Sequence, residues 1–152
     1  MQNAKITGIA SYVPDYVLTN DELSHMVDTN DEWITTRVGI KERRILKGEE
    51  TGSSDLGVKA VAELLKKTGV KPSEVDLLIC ATSNPDYRFP STASIVLEKL
   101  GIKTAYGYDI QAACAGFIVA LQAGTAYIKS GDRKSTRLNS SHSTSSRMPS
   151  SA

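Results

Sequence analysis

In the stretch YDIQAACAGFIVAL, residues 108–121, a single cysteine, Cys114, stands among alanines and a glycine where a strand-like run passes into a helix-like one. Two roles compete for it. Free cysteine is among the most buried residue types and packs as a small hydrophobe. A helix start, by contrast, is where a thiol becomes a thiolate at neutral pH. The positive end of the helix dipole would lie on a sulfur at N1 or the N-cap. Lowering a thiol pKa from about 8.5 to about 7 raises its ionised fraction from roughly 3% to about half. Backbone N–H groups left open at the same turn could hold an oxyanion while an acyl group is transferred. Ala112, Ala113, Ala115 and Gly116 leave room for a sharp bend and for a thioester to approach. From the residues alone, packing and nucleophilic attack both remain open. Cys80, inside VDLLICA with no helix start nearby, reads as core.

The elements that would position Cys114 follow from periodicity. Ile6 to Tyr12 reads as a strand. Thr19 and Glu22 form a capping-box pattern for a short helix through Met26, and Thr29 with Glu32 opens another that Gly39 closes. Ile40 to Leu46, with three basic residues, is either an exposed strand or a loop. Val58, Val61, Ala62 and Leu65 recur at i, i+3, i+4, i+7, which predicts an amphipathic helix ending at Gly69. Val75 to Ala81 is nearly continuous apolar sequence, as in a strand covered on both faces. Ser91 to Leu100 predicts a helix, Ala105 to Gln111 a strand, and Ala115 to Lys129 a mostly apolar, buried helix. Strands alternating with helices argue for an α/β layered domain.

Composition narrows the classes. The chain has 152 residues, 40% of them hydrophobic and 23% charged, which is soluble-globular usage for one domain. A formal net charge of +1 gives no reason to expect nucleic acid or an anionic membrane as partner. The N-terminus lacks a secretory pattern, and the longest apolar run, Ala112 to Leu121, falls short of the roughly 18 residues of a membrane span. Two cysteines make no disulfide framework, and neither has metal-ligand spacing. A cytoplasmic setting without a bound metal is expected. From Asp132 the sequence DRKSTRLNSSHSTSSRMPSSA carries eight serines and no periodicity. Composition predicts disorder over 132–152. The segment also resembles translated sequencing-adaptor tails, which implies a non-native origin, against the simpler reading of a native flexible tail.

Residues 1–131 resemble β-ketoacyl-acyl carrier protein synthase III, the condensing enzyme that initiates type II fatty acid synthesis. The resemblance rests on GIASYVPDYVLTNDEL, on VDTNDEWITTRVGIKERR, and on AACAGF preceded by RFPSTAS. It implies an α/β, thiolase-like fold truncated within its first βαβαβαββ half, since about two-fifths of such an enzyme is covered. It implies that Cys114 accepts the acyl group from acyl-CoA, with no tightly bound cofactor. By the same resemblance Trp33 stacks on the CoA adenine, Arg37 contacts the nucleotide end and Thr29 lies near the adenine. Phe89 would line the acyl pocket of the partner subunit in a homodimer. The second substrate would be malonyl-acyl carrier protein, condensed with help from a histidine and an asparagine in the C-terminal half. His25 and His142 match no such motif, so the chain as written is expected not to complete condensation. Two rival readings are a non-catalytic CoA-binding scaffold, in which Cys114 is only core, and a related condensing enzyme of specialised metabolism. The basic run Lys41, Glu42, Arg43, Arg44 reads as a solvated face that could also attract anionic CoA or an acidic carrier protein.

Overall fold

A computed structural model describes residues 3–48 and 52–132, and the backbone of 136–140. The chain divides into two units, residues 13–51 and residues 1–12 with 52–152.

The smaller unit holds strand β1 (Val17–Thr19), helices α1 (Asn20–Ser24) and α2 (Asp31–Val38), and strand β2 (Glu42–Arg44). β1 and β2 pair antiparallel, with Leu18 opposite Arg43. Thr19 caps α1 as its spacing predicts, accepting from the Glu22 N–H at 3.1 Å. The box is half closed, because the Glu22 carboxylate takes the Tyr16 hydroxyl instead. The second predicted cap is one residue off. Asn30, not Thr29, accepts the Trp33 N–H at 2.8 Å, and asparagine directly before an acidic first turn is the stronger N-cap signal. Gly39 ends α2 at φ +70°, as expected of a helix C-terminal glycine. Asn20, 2% exposed, joins the pieces: its amide donates to Asp31 at 2.7 Å and to the Ile40 carbonyl at 2.8 Å, and its oxygen accepts from Arg43 at 2.7 Å.

The larger unit is a parallel sheet of order β4-β3-β5 between helices. Its strands are β3 (Leu77–Ala81), β4 (Tyr106–Ile110) and β5 (Thr136–Ser140); its helices are α3 (Ser53–Thr68), α4 (Thr92–Lys99) and α5 (Gly116–Lys129). All five residues of β3 are buried, the two-faced burial that the apolar run predicts. Alternation sorts them. Leu78 and Cys80 pack with Val61, Ala93, Val96, Leu97 and Ile102 on the α3/α4 side, while Leu77, Ile79 and Ala81 pack with Ala120 of α5 on the other. Burial pushes the Cys80 thiol pKa up to about 12, helped by the negative charges of Asp109 and Asp86.

Three expectations change. Ile6 to Tyr12 forms no strand: no described strand pairs with it, and Ile6 and Ile9 are exposed. The segment lies along α3 instead, where Lys67 donates to the Ile9 carbonyl at 2.9 Å. Helix α5 is not buried all round; Gly116, Ala120 and Gly124 face the sheet, whereas Phe117, Ile118 and Val119 are 42%, 63% and 38% exposed. The disorder expected over 132–152 does not extend to Thr136–Ser140, which run parallel to β3 with Leu77 opposite Thr136. Strand pairing is made by the backbone, so a polar sequence can fill the open edge of β3 that composition alone ignores. His142 lies outside the described residues.

Candidate active site

Cys114 sits between β4 and α5, and the local chain explains why it faces solvent. Beyond Ile110, whose carbonyl still accepts the Thr82 N–H at 3.1 Å, the strand ends and the chain tightens into a 3-10 turn, Ala113–Ala115. The Ala115 N–H closes the turn on the Ala112 carbonyl at 3.0 Å. Ala113 adopts φ +43°, the one positive φ of a non-glycine among the described residues. For an alanine that conformation costs roughly 1–2 kcal/mol. It turns the next residue outward, and Cys114 is exposed. The sequence places Cys114 at N1 or the N-cap; the structure gives the cap to Ala115 and puts Cys114 one residue before it, because the 3-10 turn occupies the expected first turn.

Packing fixes where α5 begins. A Cβ on Gly116 would lie 3.2 Å from that of Ala81, so a glycine there lets the helix start close to the end of β3. The helix ends are closed unequally. Asp86 accepts the Ser54 N–H at the start of α3, and Asp109 accepts Thr92 N–H at 2.7 Å and Ala93 N–H at 2.8 Å at the start of α4. Helix α5 has neither a capping side chain nor an acidic residue in its first turn. Its first amide, the Gly116 N–H, is closed on the Ala113 carbonyl by the 3-10 turn, so its positive end lies beside a thiol with no carboxylate on it, an arrangement able to favour a thiolate or an oxyanion.

Phe89 lies in the same unit, 89% exposed on the loop between β3 and α4. That loop is tied down on both sides of the ring: Ser53 donates to the Asn84 carbonyl at 2.7 Å, and Ser91 caps α4 by accepting the Ser94 N–H at 3.1 Å.

Trp33, Arg37 and Thr29 belong to the smaller unit. Trp33 is 53% exposed, which removes it from any core, and the Arg37 guanidinium lies 4.8 Å from its ring centroid. The i, i+4 spacing therefore produces a cation–π pair that orders both side chains on one helical face. Thr29 is half-buried at the approach to α2. Two members of the basic run have structural work: Arg43 serves Asn20 and the Leu18 carbonyl, and Arg44 donates to the Pro14 and Asp15 carbonyls. Among the described residues no group of three or more His, Cys, Asp or Glu is placed to hold a metal ion.

Sequence reasoning missed Asn30, Asp86, Asp109 and the positive φ of Ala113, a residue it read only as room for a bend. The first was visible as an Asn before Asp-Glu; the carboxylate caps carry no local signal, since Asp86 and Asp109 serve helix ends 32 and 17 residues away.

A family model described as 3-oxoacyl-[acyl-carrier-protein (ACP)] synthase III matches residues 108–148, the span that contains Cys114 and α5. Beta-ketoacyl-[acyl-carrier-protein] synthase III 2 of Bacteroides thetaiotaomicron is 57% identical over 132 residues, covering 87% of this chain and 39% of that protein. The resemblance to synthase III holds. The solved 3-oxoacyl-[acyl-carrier-protein] synthase III of Aquifex aeolicus superposes with a TM-score of 0.83 at 50% identity, over 88% of this chain and 43% of that one. A priming β-ketosynthase from the R1128 polyketide pathway is similar at 35% identity and a TM-score of 0.80, over 86% and 39%. The α/β fold is thus the thiolase-like one, present in part. The chain spans about two-fifths of the length of the curated synthase III relatives it matches.

Proposed function

We propose that this chain is the nucleophile-bearing part of a β-ketoacyl-acyl carrier protein synthase III, and that Cys114 is its acyl carrier. The observation that carries the reading is the exposed Cys114 on a strained turn at the uncapped start of α5. The exposure of Cys114, against the burial of Cys80, supports the acyl-carrier reading over packing and over the scaffold alternative. In the proposed step the Cys114 thiolate attacks the thioester carbonyl of acyl-CoA. A C–S bond forms to Cys114, the carbonyl is regenerated from an oxyanion held near the positive end of α5, and the C–S bond to CoA breaks. The thiol proton ends on the departing CoA sulfur or in solvent.

Trp33 and Arg37 are proposed to bind the adenine and nucleotide end of the same CoA, with Thr29 beside the adenine. A half-exposed indole with a guanidinium on it offers a stacking face and donors for phosphate oxygens. Phe89 is proposed to line an acyl pocket in a partner copy, in keeping with its exposure. The full-length enzyme is read as a cytoplasmic homodimer that needs no tightly bound cofactor and condenses the carried acyl group with malonyl-acyl carrier protein.

The test is to incubate the chain with acetyl-CoA and weigh it intact. One acetyl group per chain, mapped to Cys114 and absent from Cys114→Ala, is the expected result. A folded chain that stays unmodified, or carries the label elsewhere, overturns the proposal. Trp33→Ala is expected to slow labelling at low acetyl-CoA while leaving the final extent unchanged.

A further inference from the structure

Asp109 is drawn into the structure more tightly than a strand residue needs to be. It sits in β4 opposite Cys80, and its two oxygens accept separate N–H groups of α4: Thr92 at 2.7 Å and Ala93 at 2.8 Å. Both recipients are fully buried. Charge-assisted bonds to a helix start are short and strong, and here one carboxylate makes two. The helix does not require Asp109 for a cap, because Ser91 already accepts the Ser94 N–H.

What Asp109 adds is a link between two parts of the chain. Thr92 and Ala93 follow Phe89 by three and four residues, and Asp109 precedes Cys114 by five. We propose that Asp109 is a positioning residue: its carboxylate holds the α4 start against β4, and so sets the Phe89 loop and the Cys114 turn in register. Neighbouring packing makes the join rigid. A Cβ on Gly107 would lie 2.9 Å from that of Ala93 and 3.0 Å from the Leu78 carbonyl oxygen, so β4 and α4 are already at their closest approach. The orphaned Thr92 hydroxyl, buried with no hydrogen-bond partner, fits the same picture, because the backbone of Thr92 is held by Asp109 whatever its side chain lacks.

The consequence for catalysis rests on reading Cys114 as acyl carrier and Phe89 as pocket residue: displacing the anchor would disturb nucleophile and acyl selection together. The physical link is measured without acyl-CoA. Two rates are followed on the intact chain, iodoacetamide alkylation of Cys114 and tryptic cleavage after Arg88. Asp109→Asn keeps the shape but turns one acceptor into a donor facing an N–H. It is expected to speed cleavage at Arg88 about tenfold, the order of one lost charge-assisted bond, and to change Cys114 alkylation several-fold with it. Asp86→Asn, which loosens the same loop from its α3 side, is expected to speed cleavage while leaving alkylation within about twofold, well under the tenfold of 1.4 kcal/mol.

A general loss of stability would raise cleavage at many lysines and arginines, whereas positioning confines it to Arg88. If Asp109→Asn does not fold, Asp109→Glu, which keeps the charge on a longer arm, gives the same pair of rates. The inference is overturned if cleavage and alkylation do not change together in the Asp109 variant, if cleavage rises throughout the chain, or if Asp86→Asn has the same effect on both. A wild-type chain that accepts no acetyl group refutes the acyl-carrier reading and leaves these two rates to decide the role of Asp109.

Discussion

Ala113→Gly should be nearly free of cost to stability, or slightly favourable, although alanine to glycine is ordinarily a damaging change. Within a helix the exchange loses about 1 kcal/mol, most of it the extra backbone freedom of glycine in the unfolded chain. Ala113 stands instead at φ +43°, where a Cβ costs roughly 1–2 kcal/mol that glycine does not incur. The two terms oppose each other, and the expected balance is between about zero and 1 kcal/mol of stabilisation. Ala113→Val runs the other way, since branching at Cβ worsens the same contact and should cost about 2 kcal/mol or more. The assay is urea unfolding at micromolar concentration, followed by circular dichroism, with alkylation of Cys114 measured alongside. Glycine at 113 is expected to slow or broaden the reaction of Cys114 while stability holds, because the turn that aims the thiol is loosened. If Ala113→Gly loses the ordinary 1 kcal/mol, the turn is unstrained and the account of how Cys114 is presented fails.

Other consequences are simpler. Cys80 is neutral when folded, with a pKa raised from 9.0 to about 12, so its contribution is intact below pH 9 and lost as pH climbs towards 12. The loss is about 1.4 kcal/mol per pH unit, and Cys80→Ala should be less stable at pH 7 but flatter between pH 9 and 10.5; parallel curves would refute the assignment. Thr92→Val replaces a buried hydroxyl without a partner by a methyl group and is expected to gain about 1 kcal/mol in urea unfolding. Ile118→Glu, on the 63% exposed side of α5, should shift the chain from aggregates to monomer in light scattering, whereas unchanged association would mean that this face is not the adhesive one. Assayed with acetyl-CoA and malonyl-acyl carrier protein, the chain alone should release no β-ketoacyl product, and measurable product would refute that expectation.

The sequence reveals what local periodicity controls. β3 was legible because five consecutive apolar residues can be satisfied only by burial on both faces, and α3 because its apolar stripe and terminal glycine agree. The failures share one cause, dependence on a distant partner. Ile6 to Tyr12 has the composition of a strand but no ladder to join among the described residues, and Thr136–Ser140 has the composition of a coil but an open edge beside it. At the site, the type and setting of Cys114 could be read, as could the Trp33–Arg37 spacing that becomes a ring contact. The strain at Ala113 could not, since alanine gives no sign of positive φ, and neither could the carboxylate caps, whose helices are remote in sequence.

The unequal treatment of the helix ends argues most directly for function. At the starts of α3 and α4, carboxylates from a loop (Asp86) and from strand β4 (Asp109) are bonded to the first amides, which is how a helix start half-covered by neighbours is ordinarily stabilised. The turn into α5 reverses each of these choices within a few residues. It spends a strained alanine, omits the cap, and exposes a cysteine together with Phe117 and Ile118. Stability alone would favour a serine or aspartate at the cap and a glycine at 113, and the chain uses both devices elsewhere, at Ser91 and Gly39. Local costs concentrated on one exposed thiol are expected where chemistry, and not folding, has set the residues.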